Sequence, residues 1–88
     1  SPQGFSFRKG APGDHDVISK TLAGMLMNPL FVDTDNFIVA EEEDRVVGFG
    51  QIRPVDKSNF ELASLFVAKS HRGQGLGTAL TRRLLTAF

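Results

Sequence analysis

The 88-residue chain has no cysteine. That absence removes disulfides, thiolate nucleophiles and cysteine metal sites together. It is compatible with a reducing compartment. The expectation is a soluble, intracellular chain of the cytoplasm, with an organelle left open. Tryptophan and tyrosine are also absent, so the eight phenylalanines are read mostly as core. Aromatic stacking on nucleic-acid bases is then a poor fit. Neither sign of charge is in excess, since ten Lys and Arg balance ten Asp and Glu. A dedicated nucleic-acid binder usually shows a basic excess. No nucleic-acid partner is therefore expected, although Lys69, His71 and Arg72 form a local basic patch. No apolar run approaches the ~20 residues of a membrane span. No signal peptide is visible, and no membrane partner is expected. The chain starts at Ser1 rather than Met, which reads as a processed product or a fragment.

What is present fits one globular domain over residues 1–88. Hydrophobic content of 41% and charged content of 23% are ordinary for such a domain. Phe5 to Arg8 alternates apolar and polar residues, as a half-buried strand does. Gly10 to Gly13 reads as a turn. Asp14 is placed to cap a helix, and Ile18, Leu22, Met25 and Leu26 recur at helical spacing behind it, with Val17 and Thr21 alongside. Asn28-Pro29 should end that helix. Leu30 to Asp35 reads as a loop with room for one helical turn. Its two acids, Asp33 and Asp35, are either solvated or placed to attract a cationic amine. Asn36–Glu42 and Arg45–Val55 read as an antiparallel hairpin around Glu43-Asp44. Gly48 and Gly50 sit inside the second of these strands, which marks a bulge or a close backbone approach. Phe60 to Ala68 reads as a fourth strand. Simple alternation puts Glu61, Ala63, Leu65 and Val67 on one face and Leu62, Ser64 and Phe66 on the other. Leu76, Leu80, Leu84 and Phe88 then form the apolar stripe of a last helix, with Arg82 and Arg83 on a solvated face.

The stretch between that strand and that helix carries the chemistry. Gly73, Gly75 and Gly77 stand at alternate positions, directly after Arg72. Glycine allows unusual dihedrals and brings bare N–H groups close to a ligand. A helix start adds unpaired donors and the positive end of the dipole. Together they suit a phosphate. A Walker loop would need Lys after its last glycine, and here Thr78 follows Gly77. A dinucleotide fingerprint would need glycine at position 78. A turn with no ligand is the remaining alternative.

The run Arg72-Gly73-Gln74-Gly75-Leu76-Gly77 resembles the acetyl-CoA motif of the GNAT superfamily of N-acetyltransferases, in which Arg72, Gly75 and Gly77 fill the defining positions. Glu61 to Val67 resembles the family's fourth strand, Val46 to Gly50 its third, and Phe7-Arg8-Lys9 with Gly13-Asp14 its first strand and helix start. The resemblance implies an α+β fold (mixed α/β). Its antiparallel four-stranded sheet follows the order strand, helix, three strands, helix of the acyl-CoA N-acyltransferase fold. The resemblance covers the N-terminal part of that fold, with the C-terminal strands missing.

The resemblance also implies a reaction, acetyl transfer from acetyl-CoA to a primary amine of a protein or small molecule. Arg72, Gly73, Gln74, Gly75, Leu76, Gly77 and Thr78 would cradle the pyrophosphate. The backbone of Leu65, Phe66 and Val67 would pair with the pantetheine arm, and N–H groups near Leu65 could polarise the thioester carbonyl. Glu61 occupies the place of a catalytic glutamate in the histone-acetylating branch. It would take the proton of the attacking amine; the competing reading is a solvated strand-start glutamate. The family commonly supplies a tyrosine as general acid, and this chain has none. Two other readings follow from the missing half. One is a catalytically incomplete acetyl-CoA-binding fragment. The other is an interaction module that pairs through its bare fourth strand, as a homodimer or by strand complementation. No metal is expected: Asp14, His15 and Asp16 sit at a helix start, where capping explains the acids. Ser64 and His71 have no triad spacing, and His71 should border the phosphate site or solvent.

Overall fold

The computed structural model describes residues 5–25 and 32–87. Its main elements are β1 (Ser6–Lys9), α1 (His15–Gly24), β2 (Phe37–Glu42), β3 (Arg45–Pro54), β4 (Phe60–Val67) and α2 (Leu76–Ala87). The four strands form one antiparallel sheet in the order β1-β2-β3-β4. This is the expected α+β arrangement, with each strand within a residue or two of its expected range.

The sheet is covered on both faces, and the strand period decides which side chain goes where. On one face Phe37, Val39 and Phe49 pack with Ile18 and Leu22 of α1. On the other, Ile38, Ala40, Val47 and Ile52 pack with Leu76, Leu80 and Leu84 of α2. Phe37 to Ala40 are therefore all buried, because β2 is inside on both sides. The leucine stripe of α2 falls on the sheet as its spacing predicts; Phe88 lies outside the described residues. Burying each such leucine contributes about 1.5–3 kcal/mol.

Gly48 and Gly50 are explained by close approach. A Cβ on Gly48 would stand 3.1 Å from Leu80 Cδ1 and 3.0 Å from the Phe66 carbonyl oxygen. One on Gly50 would stand 2.7 Å from Leu84 Cδ1. Bare backbone in β3 thus lets α2 lie directly on the sheet.

Three expectations need correction. Asp14 stands at the start of α1 but makes no side-chain cap bond to it. Its carboxylate accepts from Arg8 Nη1 at 2.7 Å and Nη2 at 2.8 Å, and from the Ala11 N–H at 2.8 Å. A bidentate charged pair is stronger than a neutral-donor cap, so the carboxylate turns back. Arg8 also donates through Nε to Glu41 at 2.8 Å. The Arg8 hydrogen bonds hold the Asp14 carboxyl below its ordinary value, against burial, which pushes it up.

The second correction concerns β4. Gln51 pairs with Ala63 and Phe49 with Phe66, so β4 carries one residue more than β3 across that step. Ser64, with φ of 56°, takes up the difference. This bulge resets the alternation. Glu61, Ala63 and Phe66 now pair with Arg53, Gln51 and Phe49 on the α1 face, while Leu62 and Val67 pair with Ile52 and Gly48 on the α2 face.

The third is Arg83, whose guanidinium carbon lies 4.6 Å from the centre of the Phe7 ring. It stacks on an aromatic face rather than only facing water. The helical turn expected near Asp33 is a 3₁₀ turn at Thr34–Asn36. There the Asp33 carboxylate accepts from the Asp35 N–H at 3.1 Å. Leu26 and the Asn28-Pro29 stop lie outside the described residues.

Candidate coenzyme A site

After Val67 the chain leaves the sheet through one last backbone bond, Ala68 N–H to the Val47 carbonyl at 2.8 Å. A 3₁₀ turn, Lys69–His71, follows. Arg72 is extended and donates from Nε to the Val67 carbonyl at 3.2 Å. Gly73 and Gly75 then take φ of 82° and 78°. An L side chain there would be strained by about 1–2 kcal/mol. Space is not the constraint, since a Cβ at either position would meet nothing within 4 Å. The first backbone bond of the helix runs from the Ala79 N–H to the Gly75 carbonyl at 3.0 Å. The N–H groups of Leu76, Gly77 and Thr78 therefore have no acceptor within α2. These three residues line a shallow depression of about 270 Å³ at the positive end of the helix dipole.

Val67, His71, Arg72, Gly73, Gly75, Leu76, Gly77 and Thr78 line this depression. Of the residues expected here, Gln74 is exposed in the turn but does not line it. The Leu76 side chain is spent on the core, 1% exposed, so only its backbone faces a ligand. Leu65 and Phe66 are not brought to the turn. Phe66 stacks on Phe49, ring centres 5.1 Å apart, and Leu65 reaches over Gly50. The outer side of β4 has no strand neighbour among the described residues. Leu65 and Val67 turn their backbone groups toward it, whereas those of Phe66 face Phe49 of β3, in step with the inward Ala68–Val47 bond.

Glu61 sits near the other end of β4, at most roughly 20 Å along the strand from Val67 at ~3.3 Å per residue. It forms an ion pair with Arg53, its cross-strand partner, and both are about half exposed. Arg53 in turn lines a second cleft of about 560 Å³, with His15, Val32, Asp33, Thr34, Asn36, Gln51 and Pro54. Sequence reasoning found Asp33 but missed Gln51 and Arg53. The available signal was a polar residue, Gln51, inside an apolar strand; it is only 4% exposed. Ser64 Oγ lies 3.4 Å from its Oε1, on the bulge.

A strand that ends beside an open glycine turn, with a helix N-terminus behind it, is a geometry able to accept an anion. The sequence profile of the acetyltransferase (GNAT) family matches residues 8–88. The chain belongs to that family. Among curated proteins, none matches this sequence. Solved structures do. Rv2747 from Mycobacterium tuberculosis, crystallised with CoA, is 25% identical with a TM-score of 0.80, over 93% of this chain and 56% of that one. Diaminobutyrate acetyltransferase from Paenibacillus lautus, in complex with L-2,4-diaminobutyric acid and coenzyme A, is 22% identical with a TM-score of 0.75, over 97% and 58%. N-acetylglutamate synthase from Neisseria gonorrhoeae, with coenzyme A and L-arginine, is 17% identical with a TM-score of 0.80, over 94% and 21%. The last two share the fold with this GNAT chain. The chain thus spans just over half the length of the first and second of these proteins. Among the described residues, no helix is long and apolar enough to cross a membrane.

Proposed function

We propose that this GNAT chain forms the coenzyme-binding part of an N-acetyltransferase, which moves an acetyl group from acetyl-CoA to a primary amine. The observation that carries the reading is the glycine turn between β4 and α2. Two left-handed glycines leave its inner side bare, and three N–H groups of α2 lack helix partners beside it. Pyrophosphate oxygens would accept from these donors. Arg72 would add a full positive charge. The outward backbone groups of Leu65 and Val67 would pair with the amides of the pantetheine arm, while Phe66 between them stays paired with Phe49. That would bring the thioester to the bulge at Ser64.

The acceptor amine would enter from the α1 face, through the cleft lined by Asp33, Gln51 and Arg53. Its neutral nitrogen would attack the thioester carbonyl. The C–S bond would break, leaving an amide and the CoA thiol. Glu61 would take the ammonium proton, directly or through water, once Arg53 releases it. The relatives crystallised with amine-bearing ligands support an amine acceptor. Incubation with acetyl-CoA and a panel of primary amines, read by mass spectrometry, tests this. Acetylated amine from wild type, at least about tenfold less from Glu61→Gln, is the expected result. Full activity in Glu61→Gln would remove Glu61 from the mechanism.

A second reading is favoured by one feature. Phe60, Leu62 and Leu65 on β4 are all exposed, at 57%, 47% and 45%. An apolar strand with a free edge invites a further strand. On this reading the chain binds acetyl-CoA and turns over only when β4 is covered. Sedimentation across concentrations would reveal a homodimer formed this way.

A further inference from the structure

We propose that His71, held by Glu42, is a positioning residue that fixes the glycine turn for the coenzyme. The inference rests on the acetyl-CoA reading of that turn. The turn's inner side is open, so packing there cannot set its shape. From Lys69 to Gly75, every residue is exposed except His71. Its side chain is only 13% exposed. Nε2 lies 3.0 Å from Glu42 Oε1, at the far end of β2. Nδ1 lies 2.7 Å from Ser70 Oγ. The ring meets Phe5 edge-to-face, centres 5.6 Å apart.

One imidazole thus ties the segment before the glycines to the far end of β2 and to Phe5, just ahead of β1. Leu76 ties the other end of the turn into the core. Between these two anchors lie only Arg72 to Gly75, two of them glycines with the largest backbone freedom. Without the His71 anchor the N–H groups of the turn would have to be ordered by the ligand, at a cost in affinity. Glu42 is the carboxylate that faces the ring, and Arg72 is the cation next to it in sequence. Glu42 does not line the depression and touches the turn through His71.

Calorimetric titration of acetyl-CoA into the full chain, with thermal midpoints recorded alongside, tests the proposal. His71→Phe keeps the ring on Phe5 and loses the bond to Glu42. It should raise Kd about tenfold, the size of one hydrogen bond to a charged group. Glu42→Ala should do the same from outside the turn. His71→Gln keeps a donor toward Glu42 and should restore most of the affinity. A folded His71→Phe that binds like wild type overturns the proposal. So does a His71→Gln as weak as the Phe variant. If His71→Phe does not fold, Glu42→Ala decides by the same criterion. Failure of the wild type itself to bind acetyl-CoA would remove the acetyl-CoA reading, and this inference with it.

Discussion

Among the described residues, two turns use left-handed backbone, and they are built from opposite residues. Between β2 and β3 the positions are Glu43 and Asp44, with φ of 52° and 64°. Between β4 and α2 they are Gly73 and Gly75. The hairpin turn is held by long antiparallel pairing on both sides. Its geometry matches the twist of the strands, so the sheet can carry the strain of two side chains. The glycine turn has no such support on its inner side. Its glycines make an open surface of donors and spare it that strain. The comparison teaches where each turn is answerable: one to the sheet, the other, on the proposed acetyl-CoA reading, to a ligand.

The strongest way to break that comparison is Gly75→Glu. It puts a carboxylate where the pyrophosphate would sit, and like charges in contact cost several kcal/mol. Acetyl-CoA affinity should fall at least about a hundredfold by calorimetry. Stability should fall only by the dihedral strain, about 1–2 kcal/mol. A variant that binds normally would show that the turn is structural.

A third region separates folding from binding more cleanly. The Arg8–Asp14 pair belongs to neither turn and joins β1 to the start of α1. Asp14→Asn should cost about 1–2 kcal/mol. That is the lower part of the range for a charged hydrogen bond, because the Arg8 side chain is 37% exposed and partly screened. The folded carboxyl titrates below the unfolded one. Its contribution is therefore complete above the unfolded value of about 3.9 and disappears as pH falls through the folded value. Wild type and Asp14→Asn should converge in stability on acidification below about pH 4, while acetyl-CoA affinity at neutral pH stays the same. A constant gap down to the acid limit would contradict the pairing.

The smallest effect sharpens the other half of the comparison. Asp44→Gly removes strain from the hairpin and should stabilise the chain by about 0.5–1 kcal/mol with no change in acetyl-CoA affinity. Destabilisation would mean that the Asp44 side chain contributes more than its backbone costs.

Much of this was legible in the sequence because it is local. The glycine turn, the leucine stripe of α2 and the hairpin around Glu43-Asp44 follow from period, spacing and turn chemistry within a few residues. The parts that were not legible join distant residues. Nothing in the sequence says that Arg8 will meet Asp14 and Glu41 together, or that His71 will reach Glu42 across the sheet. The bulge at Ser64 was hidden for a related reason. Period-two alternation assumes equal residue counts on paired strands, and one extra residue moved Phe66 to the face of Glu61. That shift left Glu61 on the α1 face, beside the cleft that Arg53 lines.

The most direct test of the central claim is a ¹⁵N-labelled chain titrated with acetyl-CoA and followed by amide chemical shifts. The account predicts that the largest changes fall on Gly73, Gly75, Leu76, Gly77 and Thr78, with Glu43 and Asp44 unmoved. Changes confined to other surfaces, such as the cleft at Gln51 and Arg53, with the glycine turn silent, would contradict it.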